Sequence, residues 1–477
     1  MKRHRIYKGL LALTIAASLT SCKKDFIELN PPTSVDPAVA LRSEADARNA
    51  MSGAYAGLRG VGFYGRALMI YGDLLGDNIY QHVNNSNRYT AFNNLNYTVA
   101  NADILSTWTQ GYNVILRANN IINCALPSSP TMDQIRGEAL AVRALSYFSL
   151  VRYYARPYTD NPANPGVPLV VKYDAFAKPG RATVEEVYTQ IVTDLNTAFT
   201  LMTAPNTNSP ASAKNSSQFT KYGAKALLAK VYLTMGKMPE ALVAAKDVID
   251  NSGYKTLSAS DIVGYWSNSS FRTDLTETLF EVSADAVSNN SFDGLSYIYS
   301  QNGNYGDFVV NDAFYAIFSA NDARRQLMPV VARPKPNGVA VPTVDKFPVI
   351  QGDVSDTKVL RMSEMYLIAA EASVGVDDIQ AQTYVNYITS RRNADPILST
   401  GAALLEDILT ERRKELAFEG DRFMDLQRLK RNIDRGANFP TSVRNIPYSN
   451  FRRLFPIPQT ELDANPTLRP QQNPDWN

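Results

Sequence analysis

The densest run of ionisable residues in this 477-residue chain lies between Glu411 and Arg428. Glu411, Glu415 and Glu419 recur every four residues, a spacing that places side chains on one side of a helix, and arginines alternate with them. Glycoside hydrolysis requires two carboxyl groups that face each other across a sugar, which neighbours on one helix do not provide. We therefore interpret this segment as a structural salt-bridge lattice and not as a catalytic acid pair.

Other catalytic motifs are incomplete. A Ser-His-Asp triad would have to use His82, because His4 falls in the N-terminal signal, and no Gly-x-Ser-x-Gly elbow is present. Gly60 to Gly65 has the letters of a dinucleotide fingerprint, but no βαβ alternation surrounds it, so we interpret it as a loop. We predict no catalytic residue and no cofactor. Whether a metal ion such as calcium binds stays open.

Two stretches rich in Gly, Asn, Pro, Ser and Tyr, from Gly72 to Ala100 and from Ser258 to Asp312, carry the residue types that bind sugars. Aromatic rings cover the C–H face of a pyranose, and amides and carboxylates bond its hydroxyls. We predict a ligand-binding set made of Asp77, Asn78, Tyr80, His82, Trp266, Tyr297, Tyr299 and Tyr305.

The strongest expectation within that set concerns the rings of Tyr80, Tyr297 and Tyr299, which are predicted to line one concave face. The alternative is that these tyrosines anchor the long loops onto a helical body. For Trp266 the alternative is core packing.

The N-terminus has the plan of a lipoprotein signal, because four cations precede an apolar run that closes on Leu-Thr-Ser-Cys22. We predict removal of residues 1–21 and acylation of Cys22, with the acyl chains as the sole membrane attachment. Cys124 would then be the only free thiol, so no intramolecular disulfide can form. The formal net charge becomes +2 − 4 = −2, which gives no reason to expect binding to nucleic acid.

The remaining chain divides into a lipidated tether, residues 22–42, and a single helical domain, residues 43–477. Apolar residues at intervals of three and four predict helix pairs near 101–155, 183–251 and 357–393. Between Tyr222 and Ile249 small residues flank a turn at Gly236 and Pro239, which is the tetratricopeptide pattern. Such pairs bury their faces only when several stack.

Several segments, taken in order along nearly the whole mature chain, resemble the SusD/RagB family of Bacteroidetes. No single motif carries the resemblance; it rests on the order in which these segments follow one another along the chain. The segments are the lipobox at Cys22, Trp108 with Tyr112, Glu138 to Ala144, Glu277 to Val282, Leu360 to Ala372, Glu411 to Arg422, Phe455 to Pro458, and Gln472 to Trp476.

The resemblance implies an all-α, tetratricopeptide-like body with long irregular loops and a few short strands. It also implies a surface-exposed, lipid-anchored outer-membrane lipoprotein that is not an enzyme. Such a protein captures a glycan or oligosaccharide and delivers it to a SusC-like TonB-dependent outer-membrane barrel during nutrient uptake. Three alternatives remain: a secreted glycan-processing enzyme, a structural adhesin, and a peptide-binding member of the same family.

Overall fold

The structure is a computed structural model that describes residues 41–203, 215–268, 270–301, 305–332, 338–348 and 355–476. The predicted signal peptide, Cys22 and nearly all of the predicted tether lie outside these residues. No helix within the described ranges combines the length and the apolar character that crossing a bilayer requires.

The helices follow one another from near the start of the described chain almost to its end. They are α1 (Glu44–Leu58), α2 (Ala67–Leu74), α3 (Thr90–Asn93), α4 (Ala102–Ile122), α5 (Pro130–Tyr154), α6 (Val184–Leu201), α7 (Lys221–Met235), α8 (Met238–Asn251), α9 (Ile262–Trp266), α10 (Leu295–Tyr299), α11 (Asp312–Tyr315), α12 (Met362–Ser373), α13 (Asp378–Ser390), α14 (Gly401–Glu415), α15 (Arg422–Arg428) and α16 (Gln459–Ala464).

The long helices stack in chain order. α4 packs on α5, α5 on α6, α6 on α7 and α7 on α8; α8 then packs on α12, α12 on α13, and α13 on α14, while α1 lies across α4 and α5. The predicted turn after α7 is present: Gly236 adopts a φ of +74°, a conformation that glycine enters without strain. The all-α, tetratricopeptide-like fold class is therefore confirmed.

Short strands join distant loops in pairs. The strands are β1 (Ile79–Gln81), β2 (Thr278–Val282), β3 (Phe308–Val310), β4 (Val330–Ala332), β5 (Ala340–Pro342), β6 (Thr357–Arg361), β7 (Ile433–Asp434) and β8 (Asn445–Ile446). Within the described ranges they form two-stranded antiparallel sheets: β1 with β3, β2 with β6, β4 with β5, and β7 with β8. The helical pattern predicted from Thr357 is wrong for its first five residues, because these pair with β2 as strand β6.

Helix α5 is buried on nearly all sides. It lies among α1, α4 and α6, so Glu138 and Arg143 are enclosed. Glu138 accepts hydrogen bonds from Arg48 Nη1 at 2.8 Å and from Tyr55 Oη at 3.0 Å. Arg143 donates to Asp194 at 2.7 Å. Paired in this way, the buried charges are tolerated in the interior.

Candidate ligand-binding surface

The acidic segment singled out in the sequence is buried and paired with arginines from other elements. Helix α14 ends at Glu415, so Glu419 lies in the turn that follows and does not share a helical face with Glu411, contrary to the prediction. The carboxylate of Glu415 accepts from Arg392 Nη2 at 2.8 Å and from Arg361 Nη1 at 2.9 Å. The segment is thus a buried salt-bridge lattice, as predicted. Some pairs lie within it, such as Arg412 with Asp425, whereas Glu415 and Glu419 pair with residues remote in sequence.

These ion pairs fix the charge state of Glu415. Burial alone would raise its pKa, yet the guanidinium groups of Arg392, Arg361 and Arg324 hold the pKa well below its ordinary value. Glu419 is bonded by Arg361 Nε at 2.7 Å and by Lys346 Nζ at 2.6 Å. Both carboxylates are enclosed by protein partners and leave no room for a substrate. We refer to Glu415, Glu419, Arg361, Arg392 and Arg324 as the ionic core.

Asp77 and Asn78, predicted to contact a ligand, also belong to the interior. Asp77 accepts from Arg422 Nε at 2.6 Å and pairs with Arg413 Nη2 at 3.0 Å. Asn78 is completely buried, and its Nδ2 donates to Asp73 at 2.7 Å. Both side chains stabilise the fold in this structure, because their polar atoms are directed at protein partners and not at solvent.

Trp266 and Tyr299 pack in the core as well. The ring of Trp266 is buried beside Phe347, and Lys346 Nζ lies 4.3 Å from its centroid. Tyr299 has 0% exposure and stacks on Phe347, with ring centroids 6.0 Å apart. The predicted concave face of Tyr80, Tyr297 and Tyr299 is therefore not formed. In the short helix α10 the ring of Tyr299 faces the core, whereas Tyr297 stays half-buried.

His82 and Tyr80 contribute to the position of a loop more than to a solvent-facing binding surface. His82 is mostly buried, its backbone N–H donates to the carbonyl of Asp307 at 2.9 Å, and its Nδ1 accepts from Asn84 N at 3.1 Å. Asp307 also accepts from Ser86 N at 2.8 Å. Tyr80 is partly exposed and packs against Phe439, with centroids 6.4 Å apart. The loop after β1 is thus tied to the start of β3.

Arg88, at the end of this loop, joins it to a segment two hundred positions further along the chain. Its guanidinium lies 3.9 Å from the ring centroid of Tyr305, and Nη2 donates to the Tyr305 hydroxyl at 3.0 Å. Nη2 also lies 3.5 Å from a carboxylate oxygen of Asp293. The carboxylate of Asp293 also accepts a hydrogen bond from Arg66 Nη1, at 3.1 Å.

Two further rings complete this region. Phe292 is 55% exposed, and its ring meets that of Tyr297 edge to face at a centroid distance of 5.1 Å. We call Arg88, Phe292, Asp293, Tyr297 and Tyr305 the two-loop surface. Tyr297 and Tyr305 belong to the predicted ligand-binding set, whereas Arg88, Phe292 and Asp293 lie in the same loops but outside that set. Only the packing of the loops shows which of these side chains face solvent.

No described group of three or more His, Cys, Asp or Glu side chains is arranged to hold a metal ion. Trp108 and Trp476, which belong to the segments that carry the family resemblance, are both buried. The fold therefore defines a class, that of all-α helical-repeat proteins whose irregular loops present an aromatic and charged surface.

Comparison with known proteins narrows this class. The family model described as starch-binding and associating with the outer membrane, SusD-like, matches residues 25–233, and the SusD family model matches residues 341–476. A SusD superfamily protein from Bacteroides thetaiotaomicron is 30% identical, over 91% of this chain and 100% of that chain, with a TM-score of 0.81. SusD-like protein P2 of Formosa agariphila is 28% identical over 100% of both chains.

A SusD superfamily protein from Bacteroides vulgatus gives the same fold at 28% identity, over 91% of this chain and 100% of that chain, with a TM-score of 0.81. The chain belongs to the SusD family. The SusD-like model that matches residues 25–233 is described as starch-binding and associating with the outer membrane. The resemblance noted in the sequence is confirmed.

Proposed function

We propose that this protein binds a glycan or oligosaccharide at the two-loop surface and delivers it to a SusC-like TonB-dependent outer-membrane transporter. The observation that carries the proposal is the convergence of Arg88 with Asp293 and Tyr305, which brings rings and charges from two distant loops together. Family membership supports the same conclusion.

The chemistry of the two-loop surface suits a sugar. Phe292 and the half-buried Tyr297 offer apolar faces for pyranose C–H groups. The exposed carboxylate of Asp293 accepts hydrogen bonds from hydroxyls, and Arg88 donates them. Because Asp307 and Arg66 hold the two loops in place, little ordering is required when a ligand binds.

Two carboxyl groups of raised pKa are unavailable to a substrate, which favours binding without turnover. A general acid at neutral pH needs a carboxyl group of raised pKa beside the substrate. Burial raises the pKa of Asp73 to about 6, and burial with the nearby Glu281 raises that of Asp356 to about 7. Asp73 accepts from Phe418 N and Gly420 N, and Asp356 from Ala284 N, so both are enclosed by protein.

A binding screen of the mature chain against polysaccharides, oligosaccharides and peptides tests the proposal. We expect saturable binding to a glycan and unchanged oligosaccharide length after incubation. Binding to peptides alone would identify the peptide-binding alternative, and cleavage by protein free of contaminating enzymes would identify the hydrolase. Cross-linking in intact cells should join the protein to a TonB-dependent transporter; a protein that never forms this adduct does not deliver to one.

Lipid anchoring at Cys22 is tested separately, since it rests on the sequence. Metabolic labelling with a clickable fatty acid should mark the parent and not Cys22→Ala, and the variant should be released from the membrane as folded protein. Label retained by Cys22→Ala would exclude Cys22 as the acylated residue.

A further inference from the structure

A separate cavity lies where the connection between α5 and α6 meets the C-terminal segment. Its volume is about 510 Å³, within the range of small-molecule sites. The lining is drawn from residues 156–165, 181–183 and 470–474, together with Leu454, and none of it belongs to the two-loop surface.

Arg181 holds the walls of this cavity together. Its Nε donates to the carbonyl of Gly166 at 2.7 Å, and its Nη1 donates to Asn473 Oδ1 at 2.8 Å. Its Nη2 donates to the carbonyls of Pro165 at 2.8 Å and Tyr154 at 3.0 Å. All of these acceptors are uncharged, so no ion pair with a described residue neutralises the positive charge of Arg181. The walls are therefore rigid and carry a fixed cation.

Arg156 lines the same cavity with its hydrogen-bonding capacity unused. Among the described residues its guanidinium makes no hydrogen bond and no ion pair. An arginine presents five N–H donors in a planar fork that matches the geometry of an oxyanion. Of the two arginines that line the cavity, Arg156 is the one whose donors are available to a ligand.

A third arginine increases the positive charge near Arg156. Arg453 is 1% exposed, and its Nη1 donates to the carbonyl of Arg431 at 2.6 Å. Its Nε and Nη2 meet no acceptor in the described part of the chain. Burial, with the like charge of Arg156, lowers the pKa of Arg453 to about 10. The guanidinium lies 4.9 Å from the ring centroid of Tyr448, but no carboxylate of the described residues forms a salt bridge with it, so an anion nearby would stabilise its charge.

The carboxylate in this region is already paired. Asp160 lines the cavity, but its Oδ1 lies 3.1 Å from Lys430 Nζ, and its Oδ2 accepts from the Tyr448 hydroxyl at 2.7 Å. Asp160 therefore offsets Lys430 and part of the charge of Arg453, so the positive charges of Arg156, Arg181 and Arg453 still exceed the negative charge of this region. Leu454, Pro470 and Pro474 supply apolar wall, so the cavity is not a site for a bare ion alone.

We propose that this cavity is a second binding site, for a sugar that carries an oxyanion, either a carboxylate or a sulfate group. Arg156 bonds the oxyanion, the amide of Asn164 in the cavity wall bonds a hydroxyl, and the proline and leucine side chains contact the C–H face. The proposal is independent of the glycan site at the two-loop surface.

Calorimetric titration of the mature chain with glucuronate, glucose 6-sulfate, glucose and inorganic sulfate tests this site. We expect saturable binding of at least one charged sugar and weaker binding of glucose. Which charged sugar binds more tightly distinguishes the carboxylate source from the sulfate source. Inorganic sulfate that binds as tightly as both charged sugars would overturn the assignment of a sugar ligand. Glucose binding of equal strength that Arg156→Ala abolishes would overturn the role of the oxyanion.

Variants assign the binding to the cavity. Arg156→Ala should weaken binding of the charged sugar about tenfold or more, because charge-assisted hydrogen bonds are lost. Arg156→Lys should retain part of it. The matched control is Arg42→Ala, an exposed arginine outside the cavity, which should bind as the parent does. Thermal melts check that each variant is folded, and unchanged binding by folded Arg156→Ala would overturn the site.

The proposals for the cavity and for the two-loop surface can be contradicted independently of each other. Phe292→Ala should leave binding of the charged sugar unchanged, because Phe292 does not line the cavity. Loss of charged-sugar binding in Phe292→Ala with none in Arg156→Ala would place that ligand at the two-loop surface and overturn the cavity site.

Discussion

The ionic core and the two-loop surface both contain arginines paired with carboxylates, but they are suited to opposite tasks. In the ionic core the side chain of Arg361 is 2% exposed and its nitrogens are committed to Glu277, Glu415 and Glu419. At the two-loop surface the side chain of Asp293 is 57% exposed, although Arg66 and Arg88 contact it. Exposure, and not residue type, decides which charges are available to a ligand.

The energetics of the two regions differ for the same reason. Breaking a buried ion pair leaves an uncompensated charge in the interior, which typically costs about 3–5 kcal/mol. An exposed pair contributes only about 0–1 kcal/mol, because water competes for both partners. We therefore expect substitutions in the ionic core to change stability, and substitutions at the two-loop surface to change binding.

The largest expected effect is that of Glu415→Ala. It would leave the guanidinium groups of Arg392 and Arg361 without a shared carboxylate, so the free energy of unfolding should fall by about 3–5 kcal/mol. Urea denaturation measures this change in the free energy of unfolding. The matched control is Glu406→Ala, which breaks an exposed pair with Arg431 and should change stability by about 1 kcal/mol or less. Equal effects of the two variants would mean that the ionic core is not a structural element.

Acid should remove the stability that the Glu415 carboxylate contributes to the ionic core. The folded-state pKa of Glu415 lies well below its ordinary value of 4.5, so its carboxylate contributes stability above pH 4.5. That contribution is lost as the pH falls below 4.5 and through the folded-state pKa. Urea melts of the parent between about pH 7 and about pH 3 should show falling stability, and Glu415→Gln should show a shallower fall. Parallel curves for the two proteins would contradict this assignment.

At the two-loop surface, Phe292→Ala should reduce glycan affinity by about 1–3 kcal/mol, since an exposed ring that stacks on a sugar loses its apolar contact. Its stability should change by less than about 0.5 kcal/mol. Phe176→Ala is the matched control, because Phe176 is 91% exposed and lies outside the two-loop surface. Titration calorimetry measures the glycan affinity, and thermal melts measure the change in stability. Normal glycan binding by Phe292→Ala would remove this ring from the site.

The smallest expected effect separates Tyr305 from Tyr299. Tyr305→Phe removes the hydroxyl that accepts from Arg88, and affinity should fall by about 0.5–1.5 kcal/mol as the guanidinium loses its fixed position. Tyr299→Phe removes a buried hydroxyl that has no partner in the described ranges, so glycan binding should not change. If Tyr299→Phe weakens binding and Tyr305→Phe does not, the two tyrosines have been assigned in the wrong order.

Much of the helical body could be predicted from the sequence because its signals are local. Apolar spacing indicates the helices near 102–122 and 130–154, and Gly236 with Pro239 indicates the turn between α7 and α8. Helix periodicity and turn chemistry depend on neighbours a few residues apart. The ordered motifs from Trp108 to Trp476 likewise indicate the family from the sequence alone.

What the sequence could not determine is which side chains of the long loops face solvent. Tyr297 and Tyr299 are two residues apart in similar surroundings, yet one is half-buried beside Phe292 and the other has 0% exposure beside Phe347. Asp77 has the sequence surroundings of a loop residue, but Arg422 lies against it in the interior. Contacts between residues hundreds of positions apart decide burial, and burial decides whether a charge stabilises the core or is available to a ligand.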